Sequence, residues 1–378
     1  MTFRRIAVLG AGGFIGSHLV PALLARFGAT IDAVDIDFKK LDRSDPRIVV
    51  TKARVEEPAL VRDIVGRCDV VVSLTALCNP ALYSTSPLEV IDASYTHLVP
   101  LVQACARYRV RLLHFSTAEV YGRFAIDGAG ERTAEMNEDT SAMLLGPVNR
   151  ERWSYACAKQ LLERVIWAHG AHGGLEFTIV RPFNVIGPRM DYVPGVDGEG
   201  IPRVLPSFIG ALFSGSELLL VDGGHQRRAF LSTRDLTEAV CLMLERREAS
   251  RGQIFNVGNP ANDVGIRELA ERLAAEFCAR VPGAPAPRLR DIPAKDFYGE
   301  GYDDSEQRVP DIGKAKRLLG WAPKDALADM LPGIMEDYLR RYSSVLLLRR
   351  ASRHADACAT SAPAEVVSLE PAARTSTG

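Results

Sequence analysis

The run IAVLGAGGFIGSHLV near the start of the chain constrains the fold more than any other stretch. A short apolar strand pattern, IAVLG (6 to 10), leads into Gly10, Gly13 and Gly16 at three-residue spacing, and a helix-like pattern, HLVPALLARF, follows. Glycines so placed let the backbone turn tightly and approach a pyrophosphate, which then sits on the positive end of the helix. Phe14 and Ile15 belong to the same cradle. Asp35 closes the next strand pattern, where a carboxylate can accept hydrogen bonds from an adenosine ribose and repel a 2′-phosphate, so NAD is expected over NADP. The plainer reading is that the glycines serve tight packing and Asp35 caps a helix.

Further short apolar runs follow: IDAVD (31 to 35), RIVV (47 to 50), DVVVSL (69 to 74), RLLHFS (111 to 116) and FTIVRPF (177 to 183). Their length and β-branched content, alternating with amphipathic stretches, predict an α/β chain with a doubly wound parallel sheet and helices on both faces. Residues 1–185 are expected to bind the nucleotide and carry the chemistry. After about residue 185 the loops become rich in Gly and Pro, so 186–345 are expected to form mainly a smaller substrate-binding lobe with some returns to the sheet. Helices are predicted at about 204 to 215, 233 to 247, 265 to 280 and 312 to 320. The Ala-, Ser- and Thr-rich tail, 350–378, is expected to be disordered. There is no internal repeat.

Lys plus Arg (46) nearly balance Asp plus Glu (47), so no global field attracts nucleic acid or an anionic membrane. The seven cysteines form no Cys-x-x-Cys pair and no cluster with His at metal-ligand spacing, which fits a reduced, cytoplasmic setting without a bound metal. Met1 to Arg5 and the apolar run after them mimic a signal peptide superficially, but the glycines fit a strand and turn better. No apolar run reaches the length of a membrane span.

In RERWSYACAKQLLERVIWAHG, apolar Leu161, Leu162, Val165 and Ile166 indicate a helix, which puts Tyr155 and Lys159 one turn apart on one face. A tyrosine titrates near about 10, roughly three units too high for a base at neutral pH, and a nearby ammonium would lower it. A Tyr-x-x-x-Lys alone more often marks a solvated helix face; its weight comes from FSTAEVYG (115 to 122). That stretch sets Thr117 and Glu119 at the carboxyl end of a strand, where open α/β sheets bind ligands. Thr117 can hydrogen-bond a sugar hydroxyl and Glu119 can exchange protons, or Glu119 is simply a surface acid in a turn.

GAGGFIG, STAEVYG, YACAK and RPFNVIGPR together resemble the extended short-chain dehydrogenase/reductases, the NAD-dependent epimerase/dehydratase family with a Rossmann-type fold. GPVNRERWSYACAKQLLERVIWAHG, FTIVRPFNVIGPRMD and FYGEGYDDSEQRVPDI are similar to UDP-apiose/UDP-xylose synthases and to ArnA-type UDP-glucuronate decarboxylases. The resemblance implies that bound NAD oxidises the C4 hydroxyl of UDP-glucuronate while Tyr155 takes its proton. Carbon dioxide then leaves from a carboxylate β to the new ketone. Reduction gives UDP-xylose, early release gives a UDP-4-keto-pentose, and ring opening and reclosure give UDP-apiose.

By the same resemblance Arg308 stands near the reacting carboxylate and Glu119 is a catalytic glutamate, with Tyr83 and Tyr302 lining the pocket. Asn184, Arg203 and Arg228 contact the UDP portion, and Arg152 lies near the sugar. Surface salt bridges are the alternative for each arginine. A homodimer through helices that include the Tyr155 helix is implied as well. One departure and one match stand out. Ala118 occupies a position where decarboxylases generally carry Ser and apiose synthases Cys, while Cys78 falls where apiose synthases have a pocket cysteine, though a buried structural thiol is the commoner meaning of one cysteine. A 4-epimerase or dehydratase using the same Tyr155 and Lys159, and a non-catalytic NAD-binding regulatory protein, remain the alternative readings.

Overall fold

The computed structural model describes residues 3–360, apart from 124, 127–131, 134, 195, 199 and 300–302. Seven parallel strands form the central sheet: β1 (Arg5–Leu9), β2 (Thr30–Asp35), β3 (Ile48–Lys52), β4 (Val70–Ser73), β5 (Arg111–Phe115), β6 (Phe177–Pro182) and, after β7 (Arg227–Ala229) of a smaller sheet, β8 (Gln253–Val257). Their order is β8-β6-β5-β4-β1-β2-β3. The first six are the apolar runs predicted from sequence, and the fold is the expected Rossmann-type doubly wound α/β. Strands β1, β4 and β5 are almost wholly buried because helices cover both faces, which is why they read as continuous apolar runs.

One face is covered by α1 (Phe14–Phe27) and the other by α2 (Pro58–Arg67), α3 (Val99–Tyr108) and α4 (Ser154–Gly173). Farther along, α5 (Val204–Ser214), α6 (Thr233–Glu245) and α7 (Ile266–Arg280) follow the predicted positions within a few residues. Of these, α6 packs beside α1 against the same face of the sheet. Strand β8, which the sequence did not single out, extends the sheet at the edge of β6, so the second part of the chain completes the core of the first. Strand order reverses at β1 and β4, and the crevice between their carboxyl ends is where such sheets bind nucleotides.

A four-stranded sheet stands beyond this crevice: Asp263–Gly265, β7, β9 (Gln307–Pro310) and Glu135–Met136. Its β7 and β9 are parallel, with Arg228 and Arg308 as register partners, so the pleat sends both guanidiniums to the same side. The last helix, α8, runs Leu327–Thr360. Residues 350–360 of the tail that the sequence left without structure are thus helical, and 361–378 lie outside the described residues.

Candidate active site

The phosphate turn is built as the glycine spacing requires. Gly10 has φ +85° and passes so close to β4 that an added Cβ would lie 3.1 Å from Leu74 Cβ. A Cβ on Gly16 would meet the Gly10 carbonyl at 2.3 Å, so this glycine lets helix and turn pack together. At Gly13, the N-cap of α1, a Cβ would meet only the Gly10 carbonyl, at 3.4 Å. The space in front of that residue is free for a ligand at the helix's positive end. Gly12, not singled out from sequence, is equally constrained: a Cβ would sit 1.7 Å from the Asp37 carbonyl. Its N–H donates to Asp35 Oδ2 (2.9 Å), while Asp35 Oδ1 accepts from the Ile36 N–H. Asp35 thereby ties the phosphate turn to the end of β2; Oδ1 also accepts from the Asp37 N–H (3.3 Å), and Oδ2 keeps a lone pair for a ribose. These residues fit a dinucleotide.

Two adjoining cavities, of about 160 and 230 Å³, open beside this turn. The smaller is lined by Ile15, Cys78, Tyr83, Thr117, Tyr155 and Lys159. The larger is lined by Arg228 and by apolar Phe208, Leu219, Phe230 and Phe297. Glu119, Asn184, Arg203 and Arg308 border both, so they mark the junction.

In the smaller cavity Tyr155 and Lys159 share one face of α4, as predicted. Lys159 is fully buried and its Nζ donates to the Phe115 carbonyl (2.9 Å). Burial pushes its ammonium down to about 8. Burial pushes the Tyr155 phenol well above its ordinary value, and the neighbouring Cys78, Tyr83 and Glu119 push it the same way. This corrects the expectation that Lys159 lowers it: the protein alone supplies desolvation, and the lysine's hydrogen bond goes to the Phe115 backbone carbonyl rather than to the phenol. Tyr83 stacks on Tyr155, with centroids 4.9 Å apart and planes at 13°. The Cys78 Sγ lies 3.3 Å from the Tyr155 hydroxyl in an exposed position, so Cys78 is not a buried structural thiol.

Thr117 caps the one-turn helix Ala118–Tyr121, its Oγ1 accepting from the Glu119 N–H. That turn aims Glu119 at the junction, where its Oε2 accepts from Arg152 Nη1 at 2.6 Å and its Oε1 lies 3.8 Å from Arg308 Nη1. Asp304, which the sequence reading overlooked, completes the cluster. Its Oδ1 accepts from Arg308 Nη2 (3.0 Å) and Arg152 Nη2 (3.3 Å), and its Oδ2 from Arg228 Nη2 (2.8 Å). Burial alone would raise the Asp304 carboxyl, yet Arg228, Arg152 and Arg308 outweigh it and hold the group far below the usual carboxylate range. The available signal was the acidic run DDSE just ahead of Arg308. Among the described residues the guanidiniums of Arg152, Arg228 and Arg308 converge on Glu119 and Asp304, and the buried Arg308 Nε has no hydrogen-bond partner among them.

Asn184 sits at φ +35° with its amide on the Ala229 carbonyl. Arg228 borders the larger cavity but spends Nη1 on the Arg227 carbonyl and Nη2 on Asp304, so it belongs to the carboxylate cluster. Arg203 is gripped by Asp191, another residue the sequence reading missed, and its Cζ lies 5.4 Å over the Phe14 ring. Tyr302 lies outside the described residues. Among the described residues no group of His, Cys, Asp and Glu could hold a metal, and no helix is long and apolar enough to cross a membrane.

A doubly wound sheet with a glycine-built phosphate turn and a Tyr–Lys pair at its switch point defines a dinucleotide-binding protein of the short-chain dehydrogenase type. The chain belongs to the NAD dependent epimerase/dehydratase family, whose model matches residues 6–258, and NAD is the cofactor of that family. It is 45% identical over 346 residues to a UDP-D-apiose/UDP-D-xylose synthase of Oryza sativa subsp. japonica, covering 86% of this chain and 87% of that one. To UDP-D-apiose/UDP-D-xylose synthase 1 of Arabidopsis thaliana it is 43% identical, with 90% and 92% covered. Among solved structures, the PbgP3 protein from Burkholderia pseudomallei superimposes with a TM-score of 0.77 at 34% identity, over 89% of this chain and 96% of that one.

Proposed function

We propose that this chain is an NAD-dependent enzyme that oxidatively decarboxylates UDP-glucuronic acid through a UDP-4-keto intermediate, yielding UDP-xylose, a UDP-4-keto-pentose or UDP-apiose. The observation that carries this is the convergence of the Arg152, Arg228 and Arg308 guanidiniums at the junction of the two cavities, where Arg308 lines the same cavity as Tyr155 and its buried Nε has no hydrogen-bond partner among the described residues. A uronate carboxylate can accept charge-assisted hydrogen bonds from such guanidiniums; a neutral hexose brings no charge to meet them. The names of the rice and Arabidopsis relatives point the same way.

Bound NAD would supply a hydride acceptor and, in its oxidised form, a positive charge. Tyr155 as its phenolate, offset by the Lys159 ammonium on the next turn, takes the proton of the sugar's C4 hydroxyl and becomes the neutral phenol. Once C4 is a ketone, the C5 carboxylate is β to it, and the electrons left when carbon dioxide departs spread into the carbonyl as an enolate. The protein's task is to hold the carboxylate in line, which falls to Arg308 and Arg152 with Glu119 between them. Ala118 is buried and offers no proton, so reprotonation falls to Glu119, Tyr155 or Cys78, whose thiol already touches the phenol. That alanine favours one second reading, a 4-epimerase or dehydratase that keeps its carboxylate.

Residues 1–185 act as the nucleotide-binding part and 186–345 mainly as the substrate lobe. Free thiols at all six described cysteines fit a reducing cytoplasm, and exposed Leu88 and Leu161 on neighbouring helices fit a homodimer. The deciding experiment incubates the purified protein with UDP-glucuronate and NAD and reads carbon dioxide release and sugar products by NMR. Arg308→Ala is expected to abolish decarboxylation, by about 10²-fold or more, with NAD affinity nearly unchanged. Unimpaired turnover in that variant refutes the carboxylate assignment, and an epimerised uronate without carbon dioxide selects the second reading.

A further inference from the structure

The segment between β6 and α5 carries backbone strain at three non-glycine residues: Asn184 at φ +35°, Arg189 at +62° and Asp191 at +44°. Left-handed conformations at such residues persist only where the surroundings over-determine them. Four tethers do so here. The Arg189 N–H donates to Asp337 Oδ2 (2.9 Å), and the Tyr338 hydroxyl donates to the Met190 carbonyl, both partners lying on α8. Lys40 Nζ, from the loop after β2, donates to the Asp191 carbonyl (3.0 Å). The Tyr342 hydroxyl donates to Asp197 Oδ2 (2.6 Å), and Asp197 Oδ1 accepts from the Val193 N–H.

The result is a fixed address for one carboxylate. Asp191 Oδ2 accepts from the Arg203 N–H at 3.0 Å and from Arg203 Nε at 2.9 Å, while Oδ1 accepts from Nε and Nη2. Backbone and side chain of the residue that caps α5 are thus held by a single acid. Below it the guanidinium lies over Phe14, the first residue of the phosphate helix. Arg203 Nη1 has no hydrogen-bond partner among the described residues, and the side chain is 30% exposed where both cavities meet.

We propose that Asp191 is the positioning residue for Arg203, fixing its free Nη1 toward the diphosphate of the substrate, and that Lys40 and α8 hold Asp191 in place. The inference rests on the reading of Arg203 as a diphosphate contact. The arrangement ties the substrate anion to the cofactor half of the molecule, because Lys40 follows the strand of Asp35 and Phe14 opens the phosphate helix. A guanidinium held bidentately in advance gives up little rotamer freedom when the anion arrives.

The test uses the full-length chain with saturating NAD and UDP as the probe. Asp191→Asn is expected to weaken UDP binding by about 10- to 100-fold and to raise KM for the nucleotide sugar in parallel, with kcat within about threefold. In an Arg203→Ala background the same change should add less than about twofold, since a residue acting through Arg203 has nothing left to position. Lys40→Met, which leaves both partners intact, should weaken UDP binding a few-fold, again only when Arg203 is present. Unchanged UDP affinity in Asp191→Asn, or losses that multiply in the double variant, overturns the assignment. A wild-type protein that does not bind UDP overturns the diphosphate reading of Arg203 as well, so the two failures are told apart.

Discussion

At Lys159 burial and charge oppose each other directly. Its ammonium is fully enclosed and keeps one bond to the Phe115 carbonyl, and burial pushes its titration down to about 8 from the usual value near 10.5. Between about pH 8 and pH 10.5 the unfolded chain holds a proton that the folded one has lost, so stability rises with pH across that window; below about 8 both states are charged and the folded state bears the desolvation cost. Lys159→Met is therefore expected to be more stable than wild type at pH 7, by roughly 1–3 kcal/mol after loss of the Phe115 bond, with the gap closing towards pH 10.5. Thermal melts at pH 7 and pH 10 read this directly, and an advantage that grew with pH would contradict it. The same burial raises Tyr155, so a neutral protein cavity by itself makes a poor phenolate, and the charges brought by ligands become part of the acid–base chemistry.

The strand–turn–helix unit from β1 to α1 separates its glycines by what each must avoid. Gly13→Ala places a methyl in ordinary van der Waals contact with the Gly10 carbonyl, 3.4 Å away, at an ordinary backbone φ of −72°, so its melting temperature should stay within a few degrees of wild type while NAD binds about tenfold more weakly or worse. Gly16→Ala drives a methyl to 2.3 Å from the Gly10 carbonyl, so the fold itself should lose about 2 kcal/mol or more, in the manner of overpacking. Thermal melts paired with NAD titration distinguish the two. Equal losses of stability in both variants would contradict the division. This much was legible in the sequence because the three glycines act within one local turn. Gly12 was not, since its constraint comes from the Asp37 carbonyl across a chain separation that glycine spacing does not encode.

For the molecule as a whole, two apolar clusters flank the sheet, and the chain leaves Leu88 75% and Leu161 46% exposed on helices that pack side by side. The homodimer proposed above would bury these two leucines at its interface. For the proposed homodimer, Leu88→Glu combined with Leu161→Glu is expected to leave a monomer in sedimentation velocity, with the melting temperature as control. A wild-type protein that sediments as a monomer at micromolar concentration would remove the interface.

The sequence by itself determined the parallel sheet, the phosphate turn, the position of Asp35 and the one-turn spacing of Tyr155 and Lys159, because each is set by local periodicity or local sterics. It also set Glu119 at a strand's carboxyl end, where such sheets bind ligands, whereas Arg308 was placed through a family resemblance rather than through physics. Only the tertiary structure decided that Asp304 binds three arginines, that Asp191 grips Arg203, that β8 is the strand by which the second part of the chain makes its expected return to the sheet, and that Cys78 touches the phenol. Those contacts join residues far apart in the chain, and the charge partners of a buried group, together with its titration, depend on where the fold brings them and how much water it leaves.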